Sequence, residues 1–212
     1  MRITVFGAAG NVGGRVVAEA LARGHEVTAV VRDETRFATL PTGAAHRVGD
    51  AANAADVARL TAGHDVAVAA TRPAPGREGD LLTTTRALLA GLRGSAVRLL
   101  VVGGAATLTV PGTRRTAIED PTLVPPAWRA IAQASADQLA VCRSTSTVDW
   151  AYLSPPALLA PGKRTGRYRL GADELLVGPD GTSTISMEDL AVALLDEAER
   201  PRHRRARFTV AY

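Results

Sequence analysis

Three glycines, Gly7, Gly10 and Gly13, stand at three-residue spacing between the apolar run Ile3-Thr4-Val5-Phe6 and an amphipathic stretch. Residues of this type and spacing suit the binding of a diphosphate. A strand that turns sharply into a helix needs backbone conformations open to glycine, and any Cβ in the turn would hold an anion away from the helix N-terminal amides. Gly7, Ala9, Gly10, Asn11, Val12 and Gly13 are the candidate cradle. A glycine triplet alone is common. It becomes specific with a strand before it, a helix after it and a ribose-reading residue about 20 positions further on. All three accompany this one, and the ribose position is Arg32.

Arg32 closes the β-branched run Glu26 to Val31. A carboxylate there would accept from the ribose hydroxyls and repel a 2′-phosphate, whereas a guanidinium offers that phosphate a permanently charged donor fork. The expectation is NADP(H) in preference to NAD(H); the plainer role is a solvated strand-end cation next to Asp33. Asp50-Ala51 follows the third strand, where a loop of such a fold lies beside the adenine. The Asp50 carboxylate would accept from the exocyclic amine, cap the next helix, or do both. Further cofactor positions are the strand ends Ala70 and Thr71, Gly103 and Gly104, and Ser154 and Pro155. Gly103 and Gly104 either admit the nicotinamide riboside or make a tight turn.

Candidate substrate-side residues are Arg72 and Pro73 in the proline- and glycine-rich loop Thr71 to Gly79, with Ala105, Trp128 and Tyr152. Trp128 either stacks on a planar acceptor or packs. Tyr152 either donates a proton or is a packed strand residue. No catalytic residue is assigned, no Cys/His cluster has metal-ligand spacing, and the four histidines are scattered.

The elements that must position these residues follow from periodicity. Val12, Val16, Val17, Ala20 and Leu21 mark a helix ending near Gly24, and Leu81 to Leu92 and Met187 to Ala198 mark two more. A helix is also expected from Ala127 to about Arg143, and another after Asp50 to about Thr61. Strands are expected at Ile3 to Phe6, Glu26 to Val31, Ala45 to Val48, Val66 to Ala70, Val97 to Val102, Thr147 to Leu153 and Arg207 to Tyr212. Thr107 to Pro126 is expected to be a long loop. Arg167 to Leu170 and Leu175 to Val177 read as a small C-terminal β excursion around a Gly171-Glu174 turn. Strands alternating with helices give an α/β, doubly wound parallel sheet of the Rossmann type.

At 212 residues and 46% hydrophobic content, one domain is expected to span the chain. The formal charge of +4 is mild and concentrates in Arg200 to Arg207, with aromatics only 4%, so a nucleic-acid partner is not expected. The single Cys142 excludes an intramolecular disulfide framework. No leader pattern and no apolar run near ~20 residues is present, and the expectation is a cytoplasmic protein without a membrane partner. The oligomeric state is left open.

Together, Gly7-Ala8-Ala9-Gly10-Asn11-Val12-Gly13, Val30-Val31-Arg32, Val102-Gly103-Gly104-Ala105 and Asp149 to Pro156 resemble the atypical short-chain dehydrogenase/reductases. Within them the chain is similar to the NAD(P)H-binding, NmrA-like family and its flavin reductase and biliverdin-IXβ reductase branch. Pro161 to Gly171 and Arg207 to Val210 resemble the bacterial members. The chain departs from the superfamily pattern in lacking Tyr-x-x-x-Lys on the helix after the fifth strand and in having glycine and alanine where a serine usually ends that strand. The resemblance implies an NAD(P)H-dependent oxidoreductase that passes hydride to a small planar acceptor, with flavin as a substrate. The missing dyad leaves open a non-catalytic, NADP(H)-sensing regulator of the NmrA type.

Overall fold

The computed structural model describes residues 1–212. Strand and helix alternate as β1 (Arg2–Phe6), α1 (Asn11–Ala22), β2 (Glu26–Val31), β3 (Ala45–Val48), α2 (Ala54–Thr61), β4 (Val66–Ala69), α3 (Asp80–Gly91), β5 (Arg98–Val102), α4 (Arg129–Arg143) and β6 (Trp150–Ser154). The chain continues through β7 (Leu158–Ala160), β8 (Arg169–Gly171), β9 (Thr184–Ser186), α5 (Met187–Glu199) and β10 (Ala206–Ala211).

Eight strands form one sheet in the order β3-β2-β1-β4-β5-β6-β10-β8, parallel except for the edge strand β8. The central strands read as unbroken apolar runs because both faces are covered: Val66, Ala67, Val68 and Ala69 of β4 are all buried. One face packs with α1 and α5 around Val5, Val16, Leu153, Leu194 and Phe208. The other packs with α2, α3 and α4 around Phe6, Val57, Leu88, Leu99, Leu139 and Trp150. The order reverses direction between β1 and β4, so the crevice at their carboxyl ends is the switch point where an open α/β sheet takes its ligand.

The C-terminal third departs from expectation. β8 joins the main sheet antiparallel to β10, whereas Leu175 to Val177 is not a strand. Leu175 is buried and its amide donates to the Thr109 carbonyl at 2.8 Å. β7 and β9 form a separate two-stranded parallel sheet. Three-residue strands carry too little alternation to show a period of two. The Thr107 to Pro126 segment is likewise more ordered than a free loop: Thr109 bridges both Thr116 and Glu174, and short 3₁₀ turns occupy Ala117–Glu119 and Pro126–Trp128. No helix is long and apolar enough to cross a membrane.

Candidate dinucleotide site

The glycine loop joins β1 to α1 at the switch point. Gly7 has φ +80°, and a Cβ there would lie 2.5 Å from the Ala70 carbonyl oxygen at the end of β4. A Cβ at Gly13 would lie 2.1 Å from the Gly7 carbonyl oxygen. Gly10 closes the turn, its amide donating to the Gly7 carbonyl at 2.9 Å. The first turn of α1 has neither a side-chain cap nor an acidic residue, and the amides of Asn11, Val12 and Gly13 have no acceptor. Unpaired amides at the positive end of a helix, with no Cβ above them, fit a diphosphate.

At the ribose end, Arg32 is exposed and pairs with no group of the chain. The neighbouring Asp33 is engaged locally: its carboxylate accepts from the Thr35 amide at 2.9 Å, capping a 3₁₀ turn over Glu34–Thr39, and that bond holds its pKa below the ordinary value. The turn also brings in a second cation that the pattern of residues did not single out. Arg36 donates to the Ala9 carbonyl at 3.3 Å, crossing onto the glycine loop. Its position four residues beyond Arg32, in a stretch too polar for core, was the available signal.

Several sequence assignments need correction. Asp50 does not cap α2. Its carboxylate accepts from the Ala52 amide at 2.9 Å, and Asn53 is the cap, accepting from Ala55 and Asp56. Asp50 remains exposed beside the crevice, but the Ala51 side chain is core. Gly103 and Gly104 have a packing requirement that the sequence did not show. A Cβ at Gly103 would meet the Tyr152 ring at 1.9 Å, and one at Gly104 would meet Ser135 Oγ at 2.5 Å.

Tyr152 is fully buried, so it is not a substrate contact. Its hydroxyl accepts from the Gly104 amide at 3.1 Å and faces the Ser135 carbonyl at 3.0 Å and Gln138 Oε1 at 3.2 Å, both as acceptors. Burial pushes its phenol well above the ordinary value, so it is a weaker acid than a free tyrosine, and its enclosure keeps it from a substrate. Ser154 and Pro155 are enclosed as well, and the Ser154 hydroxyl has no partner. Neither side chain is presented at the surface.

On the substrate side, Thr71, Pro73 and Ala105 are half-buried, and Arg72 is exposed without a partner. Trp128 stands at the last position of the 3₁₀ turn that opens α4 and is 56% exposed, so it presents a large aromatic surface to solvent. The residues of α4 that face the sheet are Ala134, Ser135, Gln138, Leu139 and Cys142. None of them is an acid or base suited to proton transfer, and burial raises the Cys142 thiol to about 12.

A family model described as NAD(P)H-binding matches residues 7–201. The uncharacterized protein YwnB of Bacillus subtilis (strain 168) is 38% identical over 216 residues, covering 99% of this chain and 98% of that one. A crystal structure from Burkholderia pseudomallei, described as a "putative exported protein", superposes with a TM-score of 0.89 at 38% identity, each chain covered completely. One from Streptococcus pneumoniae, described as a "putative NADH-flavin reductase", superposes with a TM-score of 0.89 at 29% identity, covering 100% of this chain and 99% of that one.

Proposed function

This chain belongs to the NAD(P)H-binding family, with an oxidoreductase-like function, and from that premise we propose that it is a reductase that uses NADPH to reduce a flavin or another planar conjugated acceptor. The observation that carries the reading is the pairing of a complete anion cradle with a site that has no general acid. The Asn11, Val12 and Gly13 amides are free to hold a diphosphate. The choice of NADPH is supported by Arg32, which is unpaired and exposed and so free to meet a 2′-phosphate, with Arg36 four residues further on.

NADPH, when bound, supplies the hydride. An isoalloxazine is electrophilic enough to take that hydride without prior protonation and to draw its proton from solvent. The work left to the protein is to hold donor and acceptor face to face. Trp128 and the Thr71 to Gly79 loop are the residues proposed to border the acceptor. A ketone, by contrast, would need a proton delivered to its oxygen as the hydride arrives. The burial of Tyr152 and the absence of a Tyr-Lys pair on α4 argue against that chemistry.

The test is a panel of acceptors, including FMN, riboflavin, quinones and simple ketones, with NADPH consumption followed at 340 nm. Turnover with planar acceptors and none with ketones is expected. Tight NADPH binding with no turnover across the panel would favour the sensor reading instead.

A further inference from the structure

At the amino ends of the strands, the end of the sheet away from the glycine loop, α3 and α4 end side by side around a cleft of about 330 Å³. Its floor is apolar, made by Leu89 and Val141, and Arg86 and Arg93 stand at its walls. Arg86 lies on α3 and Arg93 just past its C-terminal cap, Leu92, and both line the cleft. Some exposed arginines of the chain have carboxylate partners, such as Arg59 with Asp56 at 2.6 Å and Arg77 with Asp80 at 2.8 Å. Arg86 and Arg93 have none, and no carboxylate lines the cleft.

Two helix C-termini would ordinarily make such a place attractive to cations. Here several of the terminal carbonyls are taken. Ala140 accepts from the Ser144 amide and Cys142 from the Thr145 amide, both at 3.0 Å. The Val141 carbonyl accepts from Ser144 Oγ at 2.8 Å and Thr145 Oγ1 at 3.1 Å. On α3, the Leu88 carbonyl accepts from the Leu92 amide and the Ala90 carbonyl from the Arg93 amide. The charge left facing the cleft is that of two guanidinium groups, with the Thr147 hydroxyl beside them.

We propose that this cleft is a second binding site, separate from the dinucleotide crevice, for a small soluble anion that joins a phosphate monoester to a compact apolar body. Two guanidinium groups match a dianionic phosphate. Leu89 and Val141 offer contact for the apolar part, and the volume is at the lower end of small-molecule pockets, roughly 300 Å³.

The probe is phenyl phosphate, titrated calorimetrically into protein saturated with NADPH so that the glycine loop is occupied, with phenol and inorganic phosphate as comparisons. The expected result is saturable one-to-one binding, tighter than for either comparison and weakened by added salt. Arg86→Gln/Arg93→Gln should lose at least about tenfold in affinity, the scale of a charge-assisted contact, with circular dichroism and thermal midpoint unchanged. Binding equal in the double variant, equal binding of phenol, or no binding at millimolar probe would each overturn the proposal. Because the arginine pair decides the outcome, the test stands even if the chain fails to turn over NADPH. Phosphate binding that survives the double variant but is displaced by dinucleotide belongs to the glycine loop and counts against the cleft.

Discussion

Gly7 and Gly13 are sterically required before they are useful to a ligand, because their absent side chains leave room for the Ala70 and Gly7 carbonyls. Gly13→Ala should cost about 1–3 kcal/mol of stability from overpacking. It should also abolish the rise in thermal midpoint that NADPH gives the parent protein; a variant that keeps that rise would show that the loop is not the cradle. Arg32→Asp replaces attraction for a 2′-phosphate with repulsion. The expected change is a roughly 10–100-fold fall in the ratio of kcat/KM for NADPH over NADH, from a contact worth about 1.5–3 kcal/mol. An unchanged ratio would reduce Arg32 to a strand-end cation. Tyr152→Phe removes the acceptor for the Gly104 amide and should cost about 1–3 kcal/mol while leaving kcat with FMN as it was. At this scale the sequence was legible where one residue type has one use, as with the glycines of the turn, whose missing side chains the packing requires. It was not legible at Tyr152, Ser154 or Ala51, because a strand-end residue reads the same whether its side chain meets ligand or core, and only the packing of α4 and α2 decides.

Among the elements, α5 does more than cover the sheet. The strap from Gly162 to Arg167 lacks regular structure and is held down by α5 and α1. The Gly162 amide donates to Glu188, the Lys163 carbonyl accepts from Ser186, and Arg164 makes two bonds to Glu19. The Thr165 and Gly166 amides both donate to buried Asp189 at 2.8 Å, as does the Tyr212 hydroxyl at 2.7 Å. Burial alone would raise the Asp189 carboxyl, but the bonds from Thr165, Tyr212 and Gly166 outweigh it and leave its pKa below the ordinary 3.8. A carboxyl lowered on folding contributes stability that is complete above its unfolded pKa and lost as pH falls through the folded one. Asp189→Asn should therefore lower the thermal midpoint at pH 7, and the gap from the parent protein should narrow once the pH falls below about 3.8. A gap independent of pH would mean that the charge of Asp189 is not what holds the strap. The long periodic helices and β-branched strands were readable because each signal repeats over several turns or pleats. β7, β8 and β9 were not, since three residues pair only where a neighbour already waits, and the strap depends on carboxylates of α1 and α5 far away in sequence.

For the whole molecule, alternation of strand and helix together with right-handed crossover was enough to read a doubly wound parallel sheet, and the strand order then locates the crevice between β1 and β4. The basic run after α5, the other feature of the chain that stood out, is partly engaged by the rest of the fold. Arg204 pairs with Asp149 at 2.6 Å, Arg205 donates to the Ser146 carbonyl at 3.2 Å, and buried Arg207 joins Asp173 and the Thr107 hydroxyl. Those arginines tie the last strand and its approach to neighbouring elements. What the fold and family leave to experiment is the fate of the hydride. The central claim is that a cradle without a general acid reduces a planar acceptor by proximity. Stopped-flow mixing of the NADPH-bound protein with FMN tests it most directly. Oxidation of NADPH is expected to run well above the rate of the same reagents in buffer, little changed by Tyr152→Phe and suppressed by Gly13→Ala. A rate no faster than buffer, across flavins and quinones, would contradict it.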